Sequence, residues 1–273
     1  MSTTGKKYRP VKAYKDPHFL NSPSARPLRI LAEYFEPQQR FDELRVRDTI
    51  VFFGSARILS REQAQHYVDA EKARGKVSDQ ARKQLELSRY YEETRELARR
   101  LTEWSKNLKG TDRRFVVCSG GGPGIMEAAN RGASEARGQS IGLGISLPAE
   151  QHPNPYITRE LSFEFHYFFM RKFWFSYLAK AMIVMPGGYG TLDEFMEVVT
   201  LVQTKKIRKP LPIVFFGKDY WDEILDFQPM IEAGTINAED VKLFHYTDTV
   251  DDAFDYLTTQ LTRHALHHPG GNL

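Results

Sequence analysis

The chain has 273 residues, 38 Lys+Arg against 35 Asp+Glu for a formal net charge of +3, and 41% apolar and 27% charged positions, the make-up of a globular protein long enough for one large or two small domains. Fibrous and disordered classes are excluded; the single cysteine, Cys118, rules out a disulfide framework and a cysteine zinc site, and none of the eight His stands in a metal-ligand spacing. No apolar run nears the ~18 residues of a membrane span, and a pI near 8.8 with so small a net charge suits phosphorylated small molecules better than nucleic acid, so a cytoplasmic protein without nucleic-acid or membrane partners is expected.

Residues 1–45 are polar, and Lys6, Lys7, Arg9, Lys12 and Lys15 have no apolar stretch behind them. Pro10, Pro17, Pro23, Pro27 and Pro37 are expected to interrupt any long helix. This predicts an extension partly wrapped on the body, with one helix around Leu28–Phe35. Thr49–Phe53 is a short apolar run ending in Gly54-Ser55, the pattern of a buried parallel strand and a tight turn. Residues 60–109 form a charged insertion with apolar side chains at helical spacing, among them Tyr91, Leu97, Leu101 and Trp104. Gly75 divides it into two helices, a hairpin expected to cover the sheet edge or a subunit contact. Strand–turn–helix units then recur: Phe115–Cys118 with the helix Ile125–Arg137, Ser140–Ile145, Leu161–Phe165 with a helix from Tyr167 to Ala179, and Ala181–Met185 with Thr191–Gln203. Pro212–Phe216 with a helix near Tyr220, and Lys242–Tyr246 with Val250–His267, complete the series. Alternation of this kind predicts a single doubly wound parallel α/β domain over 46–273, with helices on both faces.

In such a sheet, strand carboxyl ends and helix N-termini line the crevice where ligands bind. Ser119-Gly-Gly-Gly-Pro-Gly124 and Pro186-Gly-Gly-Tyr-Gly-Thr191 both strip side chains from a strand-to-helix junction, so that backbone N–H groups can face an anion. Gly54-Ser55-Ala56-Arg57 adds a third backbone approach and a guanidinium. Glycines also serve tight turns with no ligand in view. Neither loop has a Walker pattern, and Ile125 stands where the dinucleotide fingerprint needs its third glycine, so a monophosphate fits best.

Glu194 falls three residues after Thr191, in the expected first turn of a helix, with Asp193 about 100° away around the axis and Glu197 nearly over it. Arg171 and Lys172 lie on the preceding helix. A carboxylate and a guanidinium about a ribose suit stabilisation of an oxocarbenium-like transition state in N-glycosidic cleavage. Helix-dipole compensation for Glu194, and a solvated face for Arg171 and Lys172, are the alternatives. Phe163, Phe165, His166, Tyr167, Phe168 and Phe169 form an aromatic run that suits a base pocket, core or an interface.

Pro186-Gly-Gly-Tyr-Gly-Thr-Leu-Asp-Glu194 matches a PGGxGTxxE motif and Met170-Arg-Lys172 the accompanying RK element; with them, residues from about Thr49 to Phe216 resemble the Lonely Guy family, and the extension and insertion resemble its longer bacterial branch. These are cytokinin-activating nucleoside 5′-monophosphate phosphoribohydrolases, long labelled lysine decarboxylases. The resemblance implies a Rossmann-type fold, a homo-oligomer, a purine nucleoside monophosphate as substrate, and hydrolysis to free base and ribose 5-phosphate with no cofactor and no metal. It makes Glu194 the catalytic carboxylate and Arg171 its partner. Gly187, Gly188, Gly190 and Thr191 would hold the 5′-phosphate, with Met170, Lys172 and Glu197 around them. Gly121, Gly122 and Gly124 would line the site, beside Gly54, Ser55 and Arg57. The chain departs from the short plant-like members at Gly124-Ile-Met-Glu127, where they have Gly-Leu-Met-Gly. A non-catalytic carrier of a nucleotide or molybdenum cofactor is the alternative; amino-acid decarboxylation would need an organised Schiff-base lysine.

Overall fold

The computed structural model describes residues 9–110, 112–147 and 152–271, so residues 1–8 of the predicted extension, with Lys6 and Lys7, lie outside the described residues. In chain order the elements are α1 (Pro17–Leu20), α2 (Arg26–Glu43), β1 (Thr49–Phe53), α3 (Arg61–Ala73), α4 (Asp79–Lys106), β2 (Val116–Ser119), α5 (Ile125–Glu135), β3 (Ser140–Ile145) and β4 (Ser162–Phe165). After these come α6 (Phe168–Leu178), β5 (Ala179–Val184), α7 (Tyr189–Gln203), β6 (Ile213–Phe216), α8 (Lys218–Asp222), α9 (Gln228–Glu232), β7 (Phe244–Thr247) and α10 (Val250–His264). The strands make one parallel sheet in the order β4-β3-β2-β1-β5-β6-β7, the doubly wound Rossmann-type α/β architecture expected from the alternation.

All five residues of β1 are buried because the strand has helices on both sides. Val51 and Phe53 pack into one core layer with Phe41 of α2, Trp174 and Phe175 of α6 and Phe195 of α7. Ile50 and Phe52 face the other, with Leu97 and Leu101 of α4, Ala128 and Ala129 of α5 and Leu257 of α10. The chain winds outward from β1 to β4 and then returns to β5 on the other side of β1. The order therefore reverses between β1 and β5, and the loops after these strands open side by side.

Two expectations are corrected. The charged stretch 60–109 does divide at Gly75 into α3 and α4, but α4 neither covers a sheet edge nor stands apart as an insertion. It forms the crossover between the parallel neighbours β1 and β2, and its Tyr91, Leu97, Ala98 and Leu101 lie in the core of one face; such a crossover has to return across a face. The second correction concerns α2, which runs on through Pro37 instead of ending at Phe35. Proline has no N–H for the carbonyl four residues back, which is that of Glu33. The indole Nε1–H of Trp174 donates to that carbonyl at 3.0 Å and takes the place of the missing bond. The Glu33 carboxylate accepts the backbone N–H groups of His166 (2.8 Å) and Tyr167 (3.2 Å) at the start of α6. The α2 segment is thereby bound to the helix that carries Arg171.

At the opposite, amino-terminal end of the strands, Asp48 is fully buried. It accepts from the Arg114 guanidinium and, at 3.1 Å, from Gly270 N–H, with Lys180 Nζ at 3.8 Å. Arg114 also donates to the carbonyls of Ala265 (2.7 Å) and Leu266 (2.8 Å).

Replacing Trp174 by Phe removes the donor to Glu33 while keeping an aromatic ring; leaving that carbonyl unpaired should cost at least about 1–3 kcal/mol, measurable as a lower urea midpoint with an unchanged slope.

Candidate active site

The β1 and β5 loops meet at the topological switch point. Met185 N–H donates to Phe53 C=O at 2.8 Å and Ser55 N–H to Pro186 C=O at 3.0 Å. The Ser55 carbonyl in turn accepts Ile125 N–H at 3.0 Å, which brings the start of α5 to the same place. Gly54-Ser55-Ala56-Arg57, Gly120–Gly124 and Pro186–Thr191 thus border one crevice.

The glycines divide into two kinds. Gly124 has a φ of +69°, and a Cβ there would overlap the Ser55 carbonyl; Gly121 has a φ of +75° and lies against Gly142. A Cβ at Gly54 would meet the Ile125 side chain, and one at Gly187 the Thr191 hydroxyl. Packing or backbone geometry requires glycine at these four. Gly188 and Gly190 differ, because neither has a positive φ and a Cβ on either would meet nothing within 4 Å. Both are exposed at the N-terminus of α7, which has no side-chain cap. Turn geometry accounts for the first group and leaves the second without a purpose in the fold. Side-chain-free N–H groups at a bare helix start are what an anion needs.

The first loop offers less than its glycines suggest. Gly121 N–H is turned inward to Ser119 Oγ at 3.1 Å. The Asn154 side-chain amide donates to the carbonyls of Gly121 and Gly122, both at 3.0 Å, and to Asn130 Oδ1 at 2.9 Å. Ser119 Oγ donates to that same oxygen at 2.7 Å, and Asn130 Nδ2 to Ile141 C=O at 3.2 Å. Neither asparagine stands out in the sequence. Asn130 lies on α5, which follows the loop directly, whereas Asn154 is 32 residues from Gly122 in the chain and only the winding of the sheet brings it under the loop.

Glu194 is 5% exposed and lies in the second turn of α7, since the helix begins at Tyr189. The expected first-turn position is therefore corrected, and with it the dipole-compensation alternative, which belongs to the first turn. Its Oε1 is 3.2 Å from Arg171 Nη2. Burial pushes the Glu194 carboxyl up to about 7, with Arg171 and Lys172 pulling the other way. Burial likewise lowers the Arg171 pKa, with the Glu194 charge opposing it. The Arg171 guanidinium lies 5.0 Å from the ring centre of Phe168 and 5.6 Å from that of Phe175. Its Nε is buried and has no hydrogen-bond partner among the described residues, an arrangement that costs about 1–3 kcal/mol unless something accepts from it.

Lys172 Nζ reaches Asp193 at 2.8 Å and Glu197 at 2.7 Å. Met170 is buried in the core layer beneath α6. Thr191 is buried against Gly187, whose carbonyl accepts from Tyr220 Oη at 2.9 Å. Ser55 Oγ accepts Arg57 N–H at 3.0 Å, and the Arg57 side chain is exposed. The aromatic run splits: Phe163 and Phe165 are core, whereas Phe168 and Phe169 are exposed beside Arg171. Among the described residues no cluster of His, Cys, Asp or Glu is suited to a metal ion, and no helix is long and apolar enough to cross a membrane.

A family model described as "Possible lysine decarboxylase" matches residues 126–257. The cytokinin riboside 5′-monophosphate phosphoribohydrolase LOG7 of Arabidopsis thaliana is 32% identical over 94 residues, covering 30% of this chain and 43% of that protein. The chain thus spans less than half the length of this relative. Among solved structures, a structural-genomics target, TM1055, has a TM-score of 0.48 at 18% identity over 78% of this chain and 99% of its own. The molybdenum-cofactor carrier protein of Chlamydomonas reinhardtii has a TM-score of 0.44 at 16% identity, over 80% of this chain and 99% of its own. Likeness at that level does not extend to function. The sequence matches agree with the resemblance carried by Pro186–Glu194 and Met170–Lys172: over part of its length the chain is similar to Lonely Guy proteins.

Proposed function

We propose that the protein is a nucleoside 5′-monophosphate phosphoribohydrolase acting on AMP-like or cytokinin riboside monophosphates. The observation that carries this reading is the Arg171–Glu194 pair, buried, joined by a single contact and left with an Nε–H unpartnered among the described residues, next to a helix start where Gly188 and Gly190 carry no side chain. The phosphate would sit on the N–H groups around Gly188–Thr191, assisted by the exposed guanidinium of Arg57. The sugar would then lie over Glu194 and Arg171, with the Nε–H donating to one of its oxygens. The exposed ring of Phe168 is available to the base.

In the reaction the bond between C1′ and the base nitrogen breaks and its electron pair leaves with the base. The oxygen of water bonds to C1′, one of its protons is lost to solvent, and the base takes up a proton. Positive charge develops on C1′ and the ring oxygen in the transition state. The ionised Glu194 carboxylate stabilises that charge and orients the water; Arg171 holds the carboxylate and the sugar in register. Since the carboxyl titrates at about 7 and the charged form is the active one, turnover rises with pH through about 7 and levels off above it.

The decarboxylase description asks for a neutral amine aimed into the groove, to form a Schiff base with pyridoxal phosphate. The residues do not fit. Burial works against the Lys172 charge, but hydrogen bonds to Asp193 and Glu197 outweigh it and raise its pKa. Lys180 is buried at the far end of β5 near Asp48.

Purified protein incubated with AMP and with isopentenyladenosine monophosphate should release free base, read by chromatography; no release from any purine or pyrimidine monophosphate rejects the reading. Glu194→Gln should lower kcat by about 10²–10⁴-fold while calorimetry still detects nucleotide binding. Gly188→Ala should raise KM and leave the thermal midpoint unchanged, because its Cβ projects into open space; an unchanged KM would remove this glycine from the phosphate site.

A further inference from the structure

Beside the Arg171–Glu194 pair is a second, denser set of charges that the proposed reaction does not use. Consecutive residues of α6 face α7 with two cations, and α7 answers with three carboxylates within five residues. Arg171 takes Glu194, while the Lys172 ammonium lies between Asp193 and Glu197, one on each side of Glu194 in sequence. Lys172 is itself largely buried, with its side chain 16% exposed. Two of its three N–H donors are already engaged, so it is poorly placed to serve as a substrate ligand.

We propose that Lys172 is a positioning residue for Glu194: its ammonium clamps the turn of α7 that carries the carboxylate onto α6 and neutralises the acids on either side, so that Glu194 keeps its charge next to Arg171.

The charged groups acting on Glu194 are Arg171 and Lys172 from α6 and Asp193 and Glu197 from α7. With Lys172 in place, three carboxylates share two cations. Without it, three share one, and a half-exposed Asp193 and a freed Glu197 both favour a proton on the buried Glu194. Asp193 and Glu197 favour protonation while the two cations oppose it, so deleting an acid and deleting the lysine have opposite signs. A lysine suits this position better than a planar arginine fork, because a compact ammonium can direct separate N–H bonds to two carboxylates one turn apart on the same face of α7. The inference rests on the hydrolase reading for its catalytic consequence only; the ionisation of Glu194 is a property of the free protein.

The test compares Lys172→Met, Lys172→Arg, Asp193→Asn and Glu197→Gln with the parent protein. The ¹³C signal of the Glu194 carboxyl, assigned by its absence in E194Q, is titrated without nucleotide, and kcat is followed against pH with AMP. In K172M both midpoints should move up by about one unit, with kcat recovering at high pH; D193N and E197Q should move them down, and K172R should restore most of the parent value. Coincident midpoints in all variants would overturn the proposal, as would a K172M defect that no pH corrects beside parent-like D193N and E197Q. Should K172M fail to fold, the two acid variants decide alone, since Asp193 and Glu197 are partly exposed. Were no nucleotide cleaved, the hydrolase reading would fail while the carboxyl titration still judged Lys172.

Discussion

The backbone of one residue organises the crevice. The N–H of Ser55 is given to the β5 loop at Pro186 and its C=O receives the start of α5 at Ile125, so a single residue ties together the turns after β1, β2 and β5. This lacing works only at close backbone approach. It explains why Gly124 has no room for a Cβ against the Ser55 carbonyl, and why Gly54 has none against Ile125. Once the three turns are held together, α7 must start at Tyr189 beside the β1 loop. Glu194, one turn further on, then comes within reach of Arg171 on the helix that leads into β5. The Arg171–Glu194 contact is downstream of a constraint made by backbone alone.

The two ends of the sheet show how differently a buried carboxylate can be housed. Asp48 and Glu194 are both almost fully buried, and burial raises the pKa of each. Around Asp48 the bonds are closed: Arg114 spends its donors on Asp48 and on two carbonyls, and Gly270 N–H fills in. Around Glu194 they are left open, with one contact to Arg171 and an Nε–H that no described residue satisfies. A closed arrangement serves stability, whereas a buried donor held without a partner is costly unless something outside the protein uses it. This difference, rather than burial itself, separates the two carboxylates.

Much of this was legible in the sequence because its causes are local. Short apolar runs such as Ile50–Phe53 and Ile213–Phe216, each followed by glycine, announce strands buried on both faces, and Glu194 and Arg171 are marked by their motifs. What was not legible depends on partners distant in the chain. Pro37 reads as a helix breaker until Trp174 supplies the donor that Glu33 lacks. Asn154 is one polar residue among many until the sheet sets it beneath Gly121 and Gly122. The charge of α4 hid its role, since its apolar residues are sparse and yet contribute Tyr91, Leu97 and Leu101 to the core. The first turn of α7 is hidden in the sequence because Gly188-Tyr-Gly190 has the composition of a loop while its backbone is helical from Tyr189.

The closure around Asp48 also bears on how the chain tolerates trimming. The carbonyls of Ala265 and Leu266 and the amide of Gly270 are part of the shell around a buried ion pair, although they lie beyond the last helix, where a chain is ordinarily dispensable. A protease cut or a shortened gene that removed these few residues would admit water to Arg114 and Asp48 at the root of β1, and the damage would begin at the pole of the sheet furthest from the Arg171–Glu194 pair.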